Sequence, residues 1–328
     1  MITARYRSLN FGDATCASSR YRILAYIEGL QARGIEIIPG PADALSPTED
    51  LSQFDGVIIQ KKLFSTRKVR RIRAGARRLI YDIDDAIWLP QGRRHHWWTR
   101  LRTDWRLRSV VSRADACVVA NQVIAARLVP WARRLEVQPM VLDAAMWSPA
   151  PLSSEASRDI VLGWSGAPGN LRYLEPLEPA LAAIQERHPS LRVVVLCGEK
   201  PKWSRLRFDH VAWRPGIEAE TVSRFSIGLL PLETSAFAGG KSPIKGLQYM
   251  ASGIPTVATP LAATRELFGA SEGAMFAESI EEWQNALGRL IQHPEERASR
   301  GAAARLFFLE RHTLARGLDF WAQLLAPQ

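Results

Sequence analysis

The sequence predicts an α/β protein made of two doubly wound, Rossmann-like domains facing each other across a cleft. Three observations lead there. Short apolar runs alternate with helical patterns, the signature of parallel strands joined by crossover helices. The alternation stops at WSPAPLSSEASRD (147–159), a Ser-, Pro- and Ala-rich stretch that reads as a linker, and then restarts. The chain has 328 residues, which at roughly 100–200 residues per domain is enough for two domains with cores of their own.

In the first half the apolar runs place strands at 35–38, 56–60, 79–83 and 116–120, after a weaker first strand near 3–9. Helical periodicity falls at 19–33, 65–76, 99–111 and 122–129. After the linker, strands are predicted at 160–165, 192–197, 210–213, 227–232 and 255–259, and helices at 280–291, 294–309 and 314–325. The domains are thus drawn as 1–150 and 151–310, with a closing helical segment at 311–328.

Composition excludes several classes. With 47% hydrophobic and 23% charged residues the chain is neither disordered nor fibrous. No apolar run reaches the ~18 residues of a membrane-spanning helix, and the first twenty residues lack the apolar stretch of a signal peptide. This predicts a cytoplasmic protein. Cys16, Cys117 and Cys197 are far apart and read as reduced packing residues rather than a disulfide framework or a zinc site.

The charge is uneven. Residues 1–150 carry 24 Lys+Arg against 14 Asp+Glu, and residues 151–328 carry 19 against 19, so the first half holds the whole net +10. Much of it lies in RKVRRIRAGARR (67–78) and in RRHHWWTRLR (93–102), where Trp97 and Trp98 stand among bases. Such a surface suits an anionic lipid headgroup layer or a polyanion, and equally describes a plain solvated face. It allows a peripheral position at the inner face of the membrane. His95 and His96 lack the i, i+4 spacing of a helical metal site and read as surface.

The strongest motif is IGLLPLETSAFAGGKSPIKGLQYMASGIPTVATP (227–260). An apolar strand runs into a loop holding Gly239 and Gly240, and Lys241 and Ser242 precede Pro243, which suits a first helical turn. Open backbone amides there, beside the Lys241 ammonium, would bind phosphate. A Walker A reading of GKS fails because the position five before Gly240 is Ser235. A weaker phosphate signal is Gly163, Gly166 and Gly169 after an apolar strand, which also fits a simple strand-to-helix turn. Asp82, Asp84 and Asp85 end another strand, where open parallel sheets bind ligands; they could hold a divalent metal, act as a base, or cap the next segment. Ser18, Ser19 and Arg20 open a helix, and serine is a good N-cap in any protein.

LQYMASGIPTVAT resembles the donor domain of family 4 (group 1) glycosyltransferases of the GT-B fold, and other stretches agree in the same order. SSRYRILAYIEGLQARGIEI is similar to that family's first helix and second strand, LIYDIDDAIW to its fourth strand, and ADACVVANQVIAARL to its fifth strand and helix. DIVLGWSGAPGNLRYLEPL and VVVLCGEKP resemble the opening of the donor domain. The resemblance implies transfer of a sugar from a nucleotide diphosphate sugar, with retention, to an unknown acceptor, lipid-linked or saccharide. It implies no cofactor and no metal, makes nucleic acid an unlikely partner, and has the closing helix cross back to the first domain.

On the same basis Lys241, Asp84 and Asp85 are the candidate catalytic residues. Ser165, Gly166, Gly240, Ser242, Lys245, Gln248, Gly198 and Ser19 are the candidate donor contacts, and Arg20 and Arg22 could add charge near the diphosphate. The chain departs from the family where its paired glutamates would stand, at Gly240 and Gln248. The diphosphate-clamping Arg and Lys are also replaced, near Trp164 and Asn170. Lys241 is the expected substitute cation. Two alternatives stay open: a non-catalytic protein of this fold that binds a polyanion or a membrane surface, and a sugar-nucleotide epimerase of the same fold.

Overall fold

The structure is a computed structural model and describes residues 2–90, 96–149 and 159–327. The linker predicted at 147–159 falls largely outside them. The chain forms two compact units. One comprises Met1–Val141, Gly239–Ser242 and Leu314–Gln328, the other Leu142–Ala238 and Pro243–Thr313.

The first unit holds a six-stranded parallel sheet: β1 (Ala4–Asn10), β2 (Ile35–Pro41), β3 (Gly56–Gln60), β4 (Leu79–Ile83), β5 (Ala116–Val119) and β6 (Leu135–Val137), in the order β2-β1-β3-β4-β5-β6. Side chains alternate across it, so each strand feeds two cores. Val57, Ile59, Leu79, Tyr81, Cys117 and Val119 face one core, which helices Thr66–Gly75 and Trp97–Val111 close with Val69, Ile72, Leu107 and Val110. Ile58, Ile80, Ala116 and Val118 face the other, covered by Ile23, Tyr26 and Leu30 and by the closing helix Leu314–Leu325 through Trp321, Leu324 and Leu325. Tyr6 Oη also donates to the Leu325 carbonyl at 3.0 Å. Burying these side chains is worth about 1.5–3 kcal/mol each, which is why a C-terminal helix belongs to this unit.

The second unit holds β7 (Val161–Ser165), β8 (Arg192–Cys197), β9 (Asp209–Ala212), β10 (Ile227–Leu230), β11 (Thr256–Ala258) and β12 (Ala274–Phe276), all parallel, in the order β12-β11-β10-β7-β8-β9. Renumbered from its first strand, this is the 3-2-1-4-5-6 order of dinucleotide-binding sheets, with the switch point between β7 and β10. A capping box of Ser279 and Glu282 starts helix Ile280–Gln292. Arg305, on helix Pro294–Arg311, ties down the chain start of this unit by donating to the carbonyls of Trp147 at 2.5 Å, Ala144 at 3.0 Å and Ala251.

Two departures from the sequence reading have physical causes. The helix expected at 19–33 is three pieces: Ala17–Arg22, a 3-10 turn at Leu24–Tyr26, and Ile27–Ala32. The break lets the Arg22 guanidinium turn inward while Tyr26 and Leu30 keep facing the sheet. Strands β6 and β12 went unpredicted because each is a three-residue, half-buried edge strand with too little alternation to read.

Candidate functional site

The crest of the first sheet is a charge cluster. In its strand order the reversal lies between β1 and β3, and the chain leaving β3 places Lys61 there with a left-handed φ of 59°. A non-glycine residue held in that region is a strain that surrounding contacts must support. Here the Lys61 ammonium is ion-paired to Asp84 Oδ1 at 3.1 Å and to Asp85, donates to Ser18 Oγ at 2.9 Å, and lies 5.2 Å from the Phe11 ring centroid. Burial opposes its charge, but Asp84 and Asp85 outweigh that and hold Lys61 above the usual lysine range. Burial and the neighbouring Asp84 hold Asp85 above the usual carboxylate range, against the pull of Lys61 and Lys241.

Asp82, two residues earlier, does something different. It is fully buried against the equally buried Arg22, whose Nε lies 3.1 Å from Asp82 Oδ1 and whose Nη1 donates to the Gln138 carbonyl at 2.5 Å. Burial raises the Asp82 carboxyl, with Arg22 opposing it. Arg22 is therefore a structural cation inside the first core, and its expected approach to a diphosphate is corrected. Arg20 lies over the Tyr21 ring at 4.9 Å. Ser19 is wholly buried, accepting from the Gly12 amide at 3.1 Å and donating to the Gly12 carbonyl at 2.9 Å.

The loop 239–242 docks on the same cluster. Ser242 donates its amide to Asp85 Oδ1 at 3.2 Å and its hydroxyl to the Asp84 carbonyl at 2.6 Å. Asn121, which caps helix Gln122–Leu128, also donates to the Gly240 carbonyl at 3.3 Å. A Cβ on Gly240 would stand 2.7 Å from the Ala86 Cβ, so this packing requires glycine where the resembling family has a glutamate. Two expectations change as a result. Ala236–Gly239 forms a helical turn, and the next helix begins at Ile244. The Ser242 amide, expected to be open, is taken by a carboxylate.

In the second unit β7 ends in Ser165, whose amide donates to Tyr249 Oη at 3.1 Å, and the Gly166 amide donates to the Leu196 carbonyl at 3.1 Å. Ser165 Oγ is buried and has no hydrogen-bond partner among the described residues. A buried hydroxyl left unpaired costs about 1–3 kcal/mol. Gly163 lies within the strand, where a Cβ would meet the Phe225 ring at 2.0 Å, so it serves packing. Gly198, after β8, is exposed, and a Cβ there would meet only Pro168, at 3.5 Å. On helix Ile244–Ala251, Gln248 is fully buried and Lys245 pairs with Glu218 at 3.4 Å.

Comparisons with known proteins account for this architecture. Among solved structures, the chain superposes on sucrose-phosphate synthase from Thermosynechococcus elongatus with a TM-score of 0.75, at 13% identity over 98% of each chain. It superposes on Anabaena HepE, solved with UDP and glucose, with a TM-score of 0.70, at 13% identity over 99% of this chain and 100% of that one. For WaaG, a glycosyltransferase involved in lipopolysaccharide biosynthesis, the TM-score is 0.67 at 12% identity, over 99% of this chain and 100% of that one. Residues 172–323 match the family described as glycosyl transferase-like. The chain has the GT-B fold of these structures. A comparison with curated proteins finds no match.

Within this fold the candidate residues divide between the two units. Asp84, Asp85, Ser19, Gly240, Lys241 and Ser242 belong to the first unit, and Ser165, Gly166, Gly198, Lys245 and Gln248 to the second. Sequence reasoning missed Lys61 and Asn121. Lys61 follows an apolar strand, the position that singled out Asp84, but the adjacent Lys62, a surface residue paired with Asp43, masked the signal. Among the described residues no three His, Cys, Asp or Glu side chains come together as a metal site, and Asp82, Asp84 and Asp85 face Arg22 and Lys61 instead.

Proposed function

We propose that this protein is a glycosyltransferase that moves a sugar from a nucleoside diphosphate sugar to an acceptor hydroxyl with retention of configuration. The observation that carries the reading is the pairing of a dinucleotide-type strand order with the unpartnered Ser165 hydroxyl at its switch point. Ser165 and Gly166 would meet the diphosphate, Gly198 and the turn after β8 the base, and Gln248 the ribose. Lys241, aided by Lys245, would stabilise charge on the departing diphosphate, the main catalytic contribution in such a site; Ser242, whose amide and hydroxyl are taken by Asp85 and Asp84, would hold the loop. The anomeric C–O bond to the phosphate breaks, the acceptor oxygen bonds to that carbon, and the acceptor proton passes to the leaving phosphate oxygen. Asp84 and Asp85 then serve to hold acceptor or sugar hydroxyls, and no metal or other cofactor enters the scheme. The uridine nucleotides in the HepE structures make UDP the first donor moiety to test. The bases of 67–78 and 93–102 would draw the chain, as a peripheral cytoplasmic protein, to an anionic membrane surface carrying a lipid-linked acceptor; residues 93–95 lie outside the described ones.

Thermal-shift measurement with UDP, ADP, GDP, TDP and their sugars tests the donor. At a hundredfold excess over Kd a ligand adds about 2.7 kcal/mol to stability, a clear rise in Tm. A flat response across the whole panel would overturn the nucleotide-sugar reading.

A further inference from the structure

Helix Trp97–Val111 is apolar on two opposite sides. Leu107, Val110 and Val111 are fully buried in the first core. Trp97, Trp98, Leu101 and Trp105 point the other way and are 52%, 61%, 55% and 66% exposed. At about 100° per residue these four fall within an arc of roughly 100°, turned away from Leu107 and Val110. The Trp97 and Trp98 rings stack with centroids 3.5 Å apart, and Trp105 Nε1 donates to Thr66 Oγ1 at 3.0 Å, joining this face to the start of helix Thr66–Gly75. Single exposed apolar residues are ordinary, but a continuous stripe of three tryptophans and a leucine marks an interaction surface.

The charge around the stripe identifies the partner. Arg100 and Arg102 flank it, Arg108 extends it, and Arg67 and Arg70 rise from the neighbouring helix, all exposed. Nearby carboxylates are engaged elsewhere: Asp104, the helix's one acid, pairs with Arg127, Asp115 with Arg73, and Asp55 with Arg77. Indole rings prefer the headgroup level of a bilayer, and arginines beside them reach lipid phosphates while their stems cover apolar surface.

We propose that the outer face of helix Trp97–Val111 is the element that docks this enzyme on an anionic bilayer. The helix lies in the interface plane, with Trp97, Trp98, Leu101 and Trp105 at the acyl boundary and Arg67, Arg70, Arg100, Arg102 and Arg108 on headgroup phosphates. This rests on the membrane part of the reading above and is independent of glycosyl transfer itself.

Co-sedimentation of the whole protein with phosphatidylcholine vesicles, with and without phosphatidylglycerol, tests it. The wild type should pellet only with the anionic vesicles and detach as salt rises. Trp98→Ala/Leu101→Ala, which leaves the Trp105–Thr66 bond intact, should bind about tenfold more weakly or worse at equal Tm. Leu101→Glu provides a second variant at a fully outward position. If the wild type stays in the supernatant with anionic vesicles, the membrane reading falls and this assignment with it. If the wild type pellets and both variants pellet equally well, only the assignment to this helix is overturned. If light scattering shows a wild-type dimer that both variants abolish, the face is a self-interface and the proposal is wrong.

Discussion

The two sheets end in crests of opposite character. At the crest of the first unit the charged groups answer one another: Lys61 faces Asp84 and Asp85, Ser242 donates to both, Arg22 closes on Asp82, and Ser19 on Gly12. At the crest of the second unit the buried Ser165 hydroxyl lacks a hydrogen-bond partner among the described residues. A crest saturated with its own ion pairs is already organised without a ligand, whereas a crest that buries an unanswered hydroxyl gains when one arrives. On the proposed function, the donor would answer the unpaired group of the second unit.

The largest effect should come from the deepest of those pairs. Arg22→Met leaves Asp82 buried without a counter-charge and should cost about 3–5 kcal/mol of stability, read from urea unfolding. Nucleotide affinity in the folded fraction should not change. Intact stability with lost nucleotide affinity would instead put Arg22 back among the donor contacts.

Lys61→Met removes the cation shared by Asp84 and Asp85 and should cost about 3 kcal/mol, less than Arg22 because Asp85 keeps some solvent. The sign with pH follows from the upward shift of Lys61. Its contribution is complete below the unfolded lysine value of about 10.4 and is lost as pH climbs from there through the higher folded value. Wild-type stability should therefore carry an alkaline loss that the variant lacks. Two parallel stability curves above that pH would show that the cluster does not depend on this lysine.

Next in size, Lys241→Ala should weaken nucleoside diphosphate binding by about 1.5–3 kcal/mol, the scale of a hydrogen bond to a charged group. Unchanged affinity by calorimetry would remove Lys241 from the donor site.

The smallest effect, and the sharpest for the contrast, is Ser165→Val. It removes the orphaned hydroxyl and should leave stability level or raise it by up to about 1 kcal/mol, while nucleotide affinity falls about tenfold, or 1.4 kcal/mol. A loss of stability without a loss of affinity would mean that the hydroxyl serves the fold.

What was legible in the sequence was local or periodic. The runs at 56–60, 79–83 and 192–197 became β3, β4 and β8 with the same ends, and helix Leu314–Leu325 appeared where its periodicity put it. The order of LQYMASGIPTVAT and its companion stretches pointed to the right fold, and residues 172–323 match a glycosyl transferase-like family model. These features are written within a few turns of chain, where spacing alone decides which side chains share a face. Partner choice was not legible. Lys61 reaches Asp85 across 24 residues, and Ser242 reaches the same carboxylate across 157. Three aspartates within four positions looked alike as text. Strand β4 and the turn after it gave Asp82 to the interior and Arg22, and left Asp84 and Asp85 to Lys61 at the crest. Pairing of this kind follows from strand order and from which face each residue takes, and burial then makes each buried charge find a cation within reach. Only the folded chain decides that.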